Sequence, residues 1–99
     1  MNRYDPDDFT IGIEEEYLLV EPGTGNLADD PPNEILELCE TTIDPSVGVV
    51  TPEFLRSQVE VGTAVCRSIK EVRAKVAQLR LAVARAATRH GLAPVAAST

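Results

Sequence analysis

Thr10-Ile11-Gly12-Ile13-Glu14-Glu15-Glu16-Tyr17-Leu18-Leu19-Val20-Glu21 is the stretch on which the fold turns. Its ends are β-branched and large apolar residues, no proline interrupts it, and Pro22-Gly23 stops it, so it reads as a strand over about 9–21. Side chains alternate between the faces of a strand. Glu14 and Glu16 therefore share one face with Gly12, Leu18 and Val20, while Ile11, Ile13, Glu15, Tyr17 and Leu19 share the other. Two carboxylates two residues apart on one face repel each other and are costly to bury. A hard divalent cation, which takes carboxylate oxygens as ligands, turns that repulsion into attraction. Acidic triplets are more often solvated strand ends or turns. Here the apolar flanks, Ile11, Ile13 and 18–20, argue for a central strand.

Moving outward, residues 1–8 form a polar lead-in. Residues 22–26, Pro-Gly-Thr-Gly-Asn, make a turn that returns Leu27 towards the sheet. Asp29-Asp30-Pro31-Pro32-Asn33 is a helix start, with an aspartate as cap and proline in the first turn. The short helix that follows points Ile35, Leu38 and Cys39 inward, is weakened by Thr41-Thr42 and ends at Asp44-Pro45-Ser46.

Residues 47–63 read as a second strand, interrupted or bulged at Pro52. Within it Leu55, Ser57, Val59 and Val61 face one way, and Phe54, Arg56, Gln58, Glu60 and Gly62 the other. If this strand neighbours the first, Glu60 approaches Glu14 and Glu16 at cross-strand distance. The plain alternative is a half-exposed strand with a solvated polar face, and parity alone favours it.

Ser68-Ile69-Lys70-Glu71 is a capping box opening a helix over about 68–90. Ile69, Val72, Val76, Leu79, Val83 and Ala86 recur at steps of three and four as a core stripe. Arg73, Lys75, Arg80, Arg85 and Arg89 fall mainly on the other faces and are expected in solvent. His90-Gly91 stops the helix, and 92–99 are a third strand with its tip cut off. Strand, short helix, strand, long helix, strand predicts an α+β fold, a mostly antiparallel sheet with helices packed on one face.

Nine basic against sixteen acidic side chains leave a net charge of −7, which argues against a nucleic-acid surface. The apolar runs are too short for a membrane span, and Met1-Asn2-Arg3-Tyr4-Asp5 is no signal peptide, so the cytoplasm is expected. Cys39 and Cys66 have no metal-type spacing and read as reduced core residues. The one histidine, His90, sits at a helix end and builds no catalytic set.

Three of these stretches together resemble the type 2 glutamate–cysteine ligase family, the carboxylate–amine ligases. Gly12 to Val20 is similar to its first strand and Glu53 to Thr63 to its second acidic strand. The long helix with 92–99 is similar to the segment that in the family enters a Gly-Thr-His-Pro type turn, and the chain stops just short of that histidine. The resemblance implies a glutamine synthetase-like catalytic fold, with 9–99 as the N-terminal, truncated portion of one catalytic domain. It implies ATP-dependent joining of the glutamate γ-carboxylate to the amine of cysteine or another amine through an acyl phosphate, as in glutathione biosynthesis. It implies Mg²⁺ or Mn²⁺, with Glu14, Glu16 and Glu60 as ligands and Glu53 as a further acid that needs a bulge near Pro52 to face the site. Gln58, Thr63 and Arg56 become groups on the ATP or substrate side, with an ordinary strand-face role favoured for Arg56, and Glu15 belongs to the opposite face. The partners are small molecules, with a homo-oligomer left open, and the fragment alone is expected to be inactive. The reading from another class is a small non-enzymatic α+β module that binds a cation or a partner through an acidic sheet face.

Overall fold

The apolar flanks of the acidic stretch place it inside a sheet. In the computed structural model, which describes residues 10–52 and 57–97, β1 (Glu14–Val20) has a neighbour on each side. The other elements are α1 (Glu34–Thr42), β2 (Gly48–Pro52), β3 (Gln58–Thr63), α2 (Ile69–Arg89) and β4 (Ala93–Ala96). The sheet order is β2-β3-β1-β4 and every pairing is antiparallel. Both helices lie on one face, as the pattern of elements predicts.

That face is the core. Tyr17 and Leu19 from β1, Val59 and Val61 from β3, and Val50 from β2 are buried against Ile35 and Cys39 of α1 and Leu79, Val83, Ala86 and Ala87 of α2. Fully burying one such aliphatic side chain contributes roughly 1.5–3 kcal/mol. Gly48 is needed where β2 passes under α2. A Cβ there would stand 2.3 Å from the Gly62 carbonyl oxygen and 3.0 Å from Leu79 Cδ1. Both cysteines are free and buried, and burial pushes the Cys39 thiol up to about 11. Among the described residues no helix is long and apolar enough to cross a membrane.

The turns follow their sequence signals. Gly25 takes φ +76° and its N–H donates to Glu21 O at 2.7 Å, and Leu27 pairs back on Val20. Gly91 takes φ +72°, with Leu92 N–H donating to Ala87 O and Gly91 N–H to Thr88 O, the two bonds of a Schellman stop. At the start of α2, Glu71 N–H donates to Ser68 Oγ at 3.1 Å. The Glu71 carboxylate accepts from Arg67 N–H rather than from that of Ser68, so the capping box is offset by one residue.

Three expectations need correction. Residues 47–63 are not one strand: the chain reverses between Pro52 and Gln58, and β2 and β3 pair antiparallel with buried Val50 opposite buried Val61. A run of β-formers sets a conformation and carries no direction, so the reversal is invisible to propensity. Pro52 ends the edge strand, where a missing N–H is harmless. The residue before α1 is Asn33, not an aspartate, and Thr41 and Thr42 remain helical, their hydroxyls donating back to Leu38 O at 3.0 and 2.8 Å. Ile69 is 62% exposed instead of joining the core stripe. It borders an open hollow shared with Ile13, Glu15 and Val72.

Candidate functional site

The face away from the helices carries the acids. The register sets Glu16 directly opposite Glu60 and Glu14 opposite Gly62, which puts all three carboxylates on one surface. The ladder bonds fall on the alternate pairs: Thr63 N–H donates to Ile13 O at 2.9 Å, and Leu19 N–H to Ser57 O at 2.8 Å. Glu16–Glu60 is therefore a non-hydrogen-bonded pair, the class in which facing Cα atoms approach to about 4.5 Å and side chains lie closest. On the far side of β1, Ala97 N–H donates to Glu16 O at 2.9 Å. Glu14, Glu15, Glu16, Glu60, Ala96 and Ala97 surround an open basin of about 400 Å³. Its floor is acidic, and Ala97, opposite Glu16 just beyond β4, brings only a methyl group to that face.

Like charges set directly across a strand pair are destabilising, and nothing in the packing of this face requires them. The donor set suits a hard cation: three carboxylates on two adjoining strands, all oxygen ligands, at cross-strand spacing. Among the described residues, no three His, Cys, Asp or Glu side chains are drawn together into a metal-binding group.

The middle acid of the triplet behaves differently. Glu15 faces the helices, where Arg80 of α2 meets it with two nitrogens, Nε to Oε1 at 2.9 Å and Nη2 to Oε2. The Tyr17 hydroxyl donates to the same Oε1. The hydrogen bond from Arg80 holds the Glu15 carboxyl below the usual carboxylate range, against the opposing effect of burial. Burial first, and the neighbouring Glu15 second, push the Tyr17 hydroxyl up to about 12. Arg80 is largely in solvent as expected, yet its head group reaches back to β1. The long-range pair was hidden because helical periodicity assigns a face to the Cα and not to the end of a long side chain.

The remaining predicted residues divide. Gln58 shares the parity of Glu60 and so the open face, and it also borders a cleft of about 120 Å³ beside Pro31, Pro32 and Asn33. The Thr63 hydroxyl accepts Ile13 N–H at 3.0 Å and so belongs to the β1–β3 seam, because its parity is opposite to that of Glu60 and Gly62. Glu53 and Arg56 lie outside the described residues. A groove of similar size, about 410 Å³, runs between α1 and α2, lined by Leu38, Leu81, Ala82 and Ala86 with Arg85 and Arg89 at its rim. It holds no acid and lies behind the sheet. The basin is the better candidate because its residue types do chemistry that a structural face does not need.

Comparison with known proteins bears on this basin. Residues 10–99 match the family described as glutamate-cysteine ligase family 2 (GCS2). A protein of Rhodospirillum rubrum, provisionally named glutamate–cysteine ligase 2, is 51% identical over 92 residues, which is 92% of this chain and 24% of that protein. A protein of the same name from Jannaschia is 46% identical over 95 residues, 96% of this chain and 24% of its own length. Another from Chloroflexus aurantiacus is 45% identical over 103 residues, covering all of this chain and 25% of its own length. The chain thus spans about a quarter of the length of these relatives.

Proposed function

The chain belongs to glutamate–cysteine ligase family 2, and from that membership and the opposed Glu16–Glu60 pair we propose that it forms the cation-holding floor of an ATP-dependent carboxylate–amine ligase. Its antiparallel sheet with helices on one face is that of the glutamine synthetase-like fold to which the family belongs. In this reading 9–99 are the N-terminal portion of a single catalytic domain, working in the cytoplasm on glutamate and on cysteine or another amine.

Glu16 and Glu60 supply facing oxygens and Glu14 a third from two residues along β1. Mg²⁺ or Mn²⁺ held there would neutralise the phosphate oxygens of ATP as an anionic carboxylate attacks the γ-phosphorus and ADP leaves. The rest is done by the protein's own frame. β1 sits between two bonded neighbours, so the carboxylates stand on a backbone that does not need to reorganise when ligands arrive. The small Ala97, opposite Glu16, leaves room beside the carboxylates for a nucleotide. Glu53, from the segment next to β2, is a candidate fourth acid. Gln58, on the same face as Glu60, stays a candidate group on the ATP or substrate side, whereas the Thr63 hydroxyl is engaged at the β1–β3 seam.

The observation that carries the reading is the register that opposes Glu16 and Glu60. Its test is Mn²⁺ titration of the 99-residue chain, with Glu16→Gln and Glu60→Gln alongside. Each variant is expected to lose affinity at least about tenfold. Equal binding by all three proteins would remove the site. A screen of amines against glutamate and ATP, read by phosphate release in a protein of the relatives' full length carrying these residues, then identifies the acceptor. The 99-residue chain is expected to release no phosphate, and a module that only binds a cation would release none at either length.

A further inference from the structure

The three consecutive acids of β1 are divided between two faces, and the division is enforced from behind. Glu14 and Glu16 face the basin, whereas Glu15, between them, is gripped by Arg80 from α2 and by Tyr17 from its own strand. The backbone on either side is tied as well. Ile13 exchanges bonds with Thr63 on β3, and Glu16 O accepts from Ala97 beyond β4. Residues 13–17 are therefore held from three directions, and the hold from the helix layer lands on the residue between the two basin acids.

Docking of α2 does not depend on this contact. Leu79, adjacent to Arg80, is fully buried over Gly48, and Val83 and Ala86 continue the packing. The Arg80 side chain is 59% exposed and that of Glu15 23%. An exposed ion pair of this kind adds little to stability. What the forked contact does supply is direction: a planar guanidinium engaging both oxygens of one carboxylate fixes the orientation of the residue that bears it.

We infer that Arg80 is a positioning residue for the acid basin, holding Glu15 to the helix face so that Glu14 and Glu16 stay aimed at Glu60. The inference rests on the reading of those three acids as the cation-binding set. Sign separates it from a purely electrostatic role. Removing Arg80 makes β1 more negative, so charge alone would tighten binding of a cation. Loss of positioning loosens it.

The experiment is Mn²⁺ titration of the 99-residue chain and of Arg80→Met, Arg80→Lys and Glu16→Gln, well below each melting temperature and with circular dichroism recorded on the same samples. Arg80→Met is expected to bind about tenfold more weakly than the parent, the scale seen when residues behind metal ligands are removed. Arg80→Lys keeps the charge and loses the fork, and is expected between the two. Unchanged or tighter binding by a folded Arg80→Met overturns the inference while loss in Glu16→Gln leaves the basin reading intact. If Arg80→Met does not fold, Arg80→Lys decides: parental affinity overturns positioning and weaker binding supports it. Equal binding by the parent and Glu16→Gln overturns the basin reading, and the positioning role with it.

Discussion

The two faces of one strand make the useful contrast. On the closed face of β1, Glu15 is answered by Arg80 and Tyr17, and Leu19 is sealed among aliphatic side chains. On the open face, Glu14 and Glu16 stand beside an open basin, and Glu16 lies straight across from another glutamate. The same residue type, one position apart, is neutralised on one side and confronted with its own charge on the other. A fold selected only for stability would place a lysine, a threonine or an apolar residue opposite Glu16. The closed face holds its carboxylate in an ion pair, and the open face sets two carboxylates across from each other, the arrangement from which the cation site is proposed.

The contrast can be broken most forcefully from the closed side. Leu79→Ala removes a fully buried side chain packed over Gly48 and is expected to cost about 2–5 kcal/mol in a denaturant titration. A loss under 1 kcal/mol would mean that the helices do not seal this face. Next is pH. The Cys39 thiol is raised from its ordinary value of 9.0 to about 11 by burial. The folded chain thus keeps a proton that the unfolded chain gives up. Its contribution is fully present below about pH 9 and is lost as pH rises through about 11, amounting to about 2–3 kcal/mol. Alkaline unfolding of the parent against Cys39→Ala measures it, and parallel stability curves from pH 8 to 11 would refute it.

Smaller effects sharpen the comparison. Gly91→Ala forces a Cβ into φ +72° at the end of α2 and is expected to cost about 1 kcal/mol by thermal denaturation. Arg80→Met should cost at most about 1 kcal/mol, less in high salt, since the pair is partly exposed. The smallest change is on the open face. Glu16→Gln should leave stability unchanged or raise it by a few tenths of a kcal/mol, because it relieves the opposition to Glu60. A loss above 1 kcal/mol would show Glu16 to be structural and would take away the argument that these acids are held for a ligand.

Much of this was legible residue by residue. Alternation along 10–21 put Glu14 and Glu16 on one face and Glu15 on the other, and the β3 alternation put Glu60 on the polar side of its strand. Ser68 and Glu71 marked the start of α2 and Gly91 its end, with Val72, Leu79, Val83 and Ala86 as its inward stripe. The resemblance in 12–20 and 53–63 named the family that residues 10–99 match. All of these depend on local periodicity, on caps, or on order along the chain.

What lay beyond local pattern was of another kind. The reversal that splits 47–63 into β2 and β3, the register that sets Glu16 against Glu60, the exposure of Ile69 and the grip of Arg80 on Glu15 each join residues far apart in sequence. The sequence by itself determined which side of its own strand every acid takes, because a pleated backbone leaves a side chain only two choices. Only the tertiary structure decided which acids meet, because pairing depends on where a neighbouring strand begins and in which register it runs, and no residue encodes that alone.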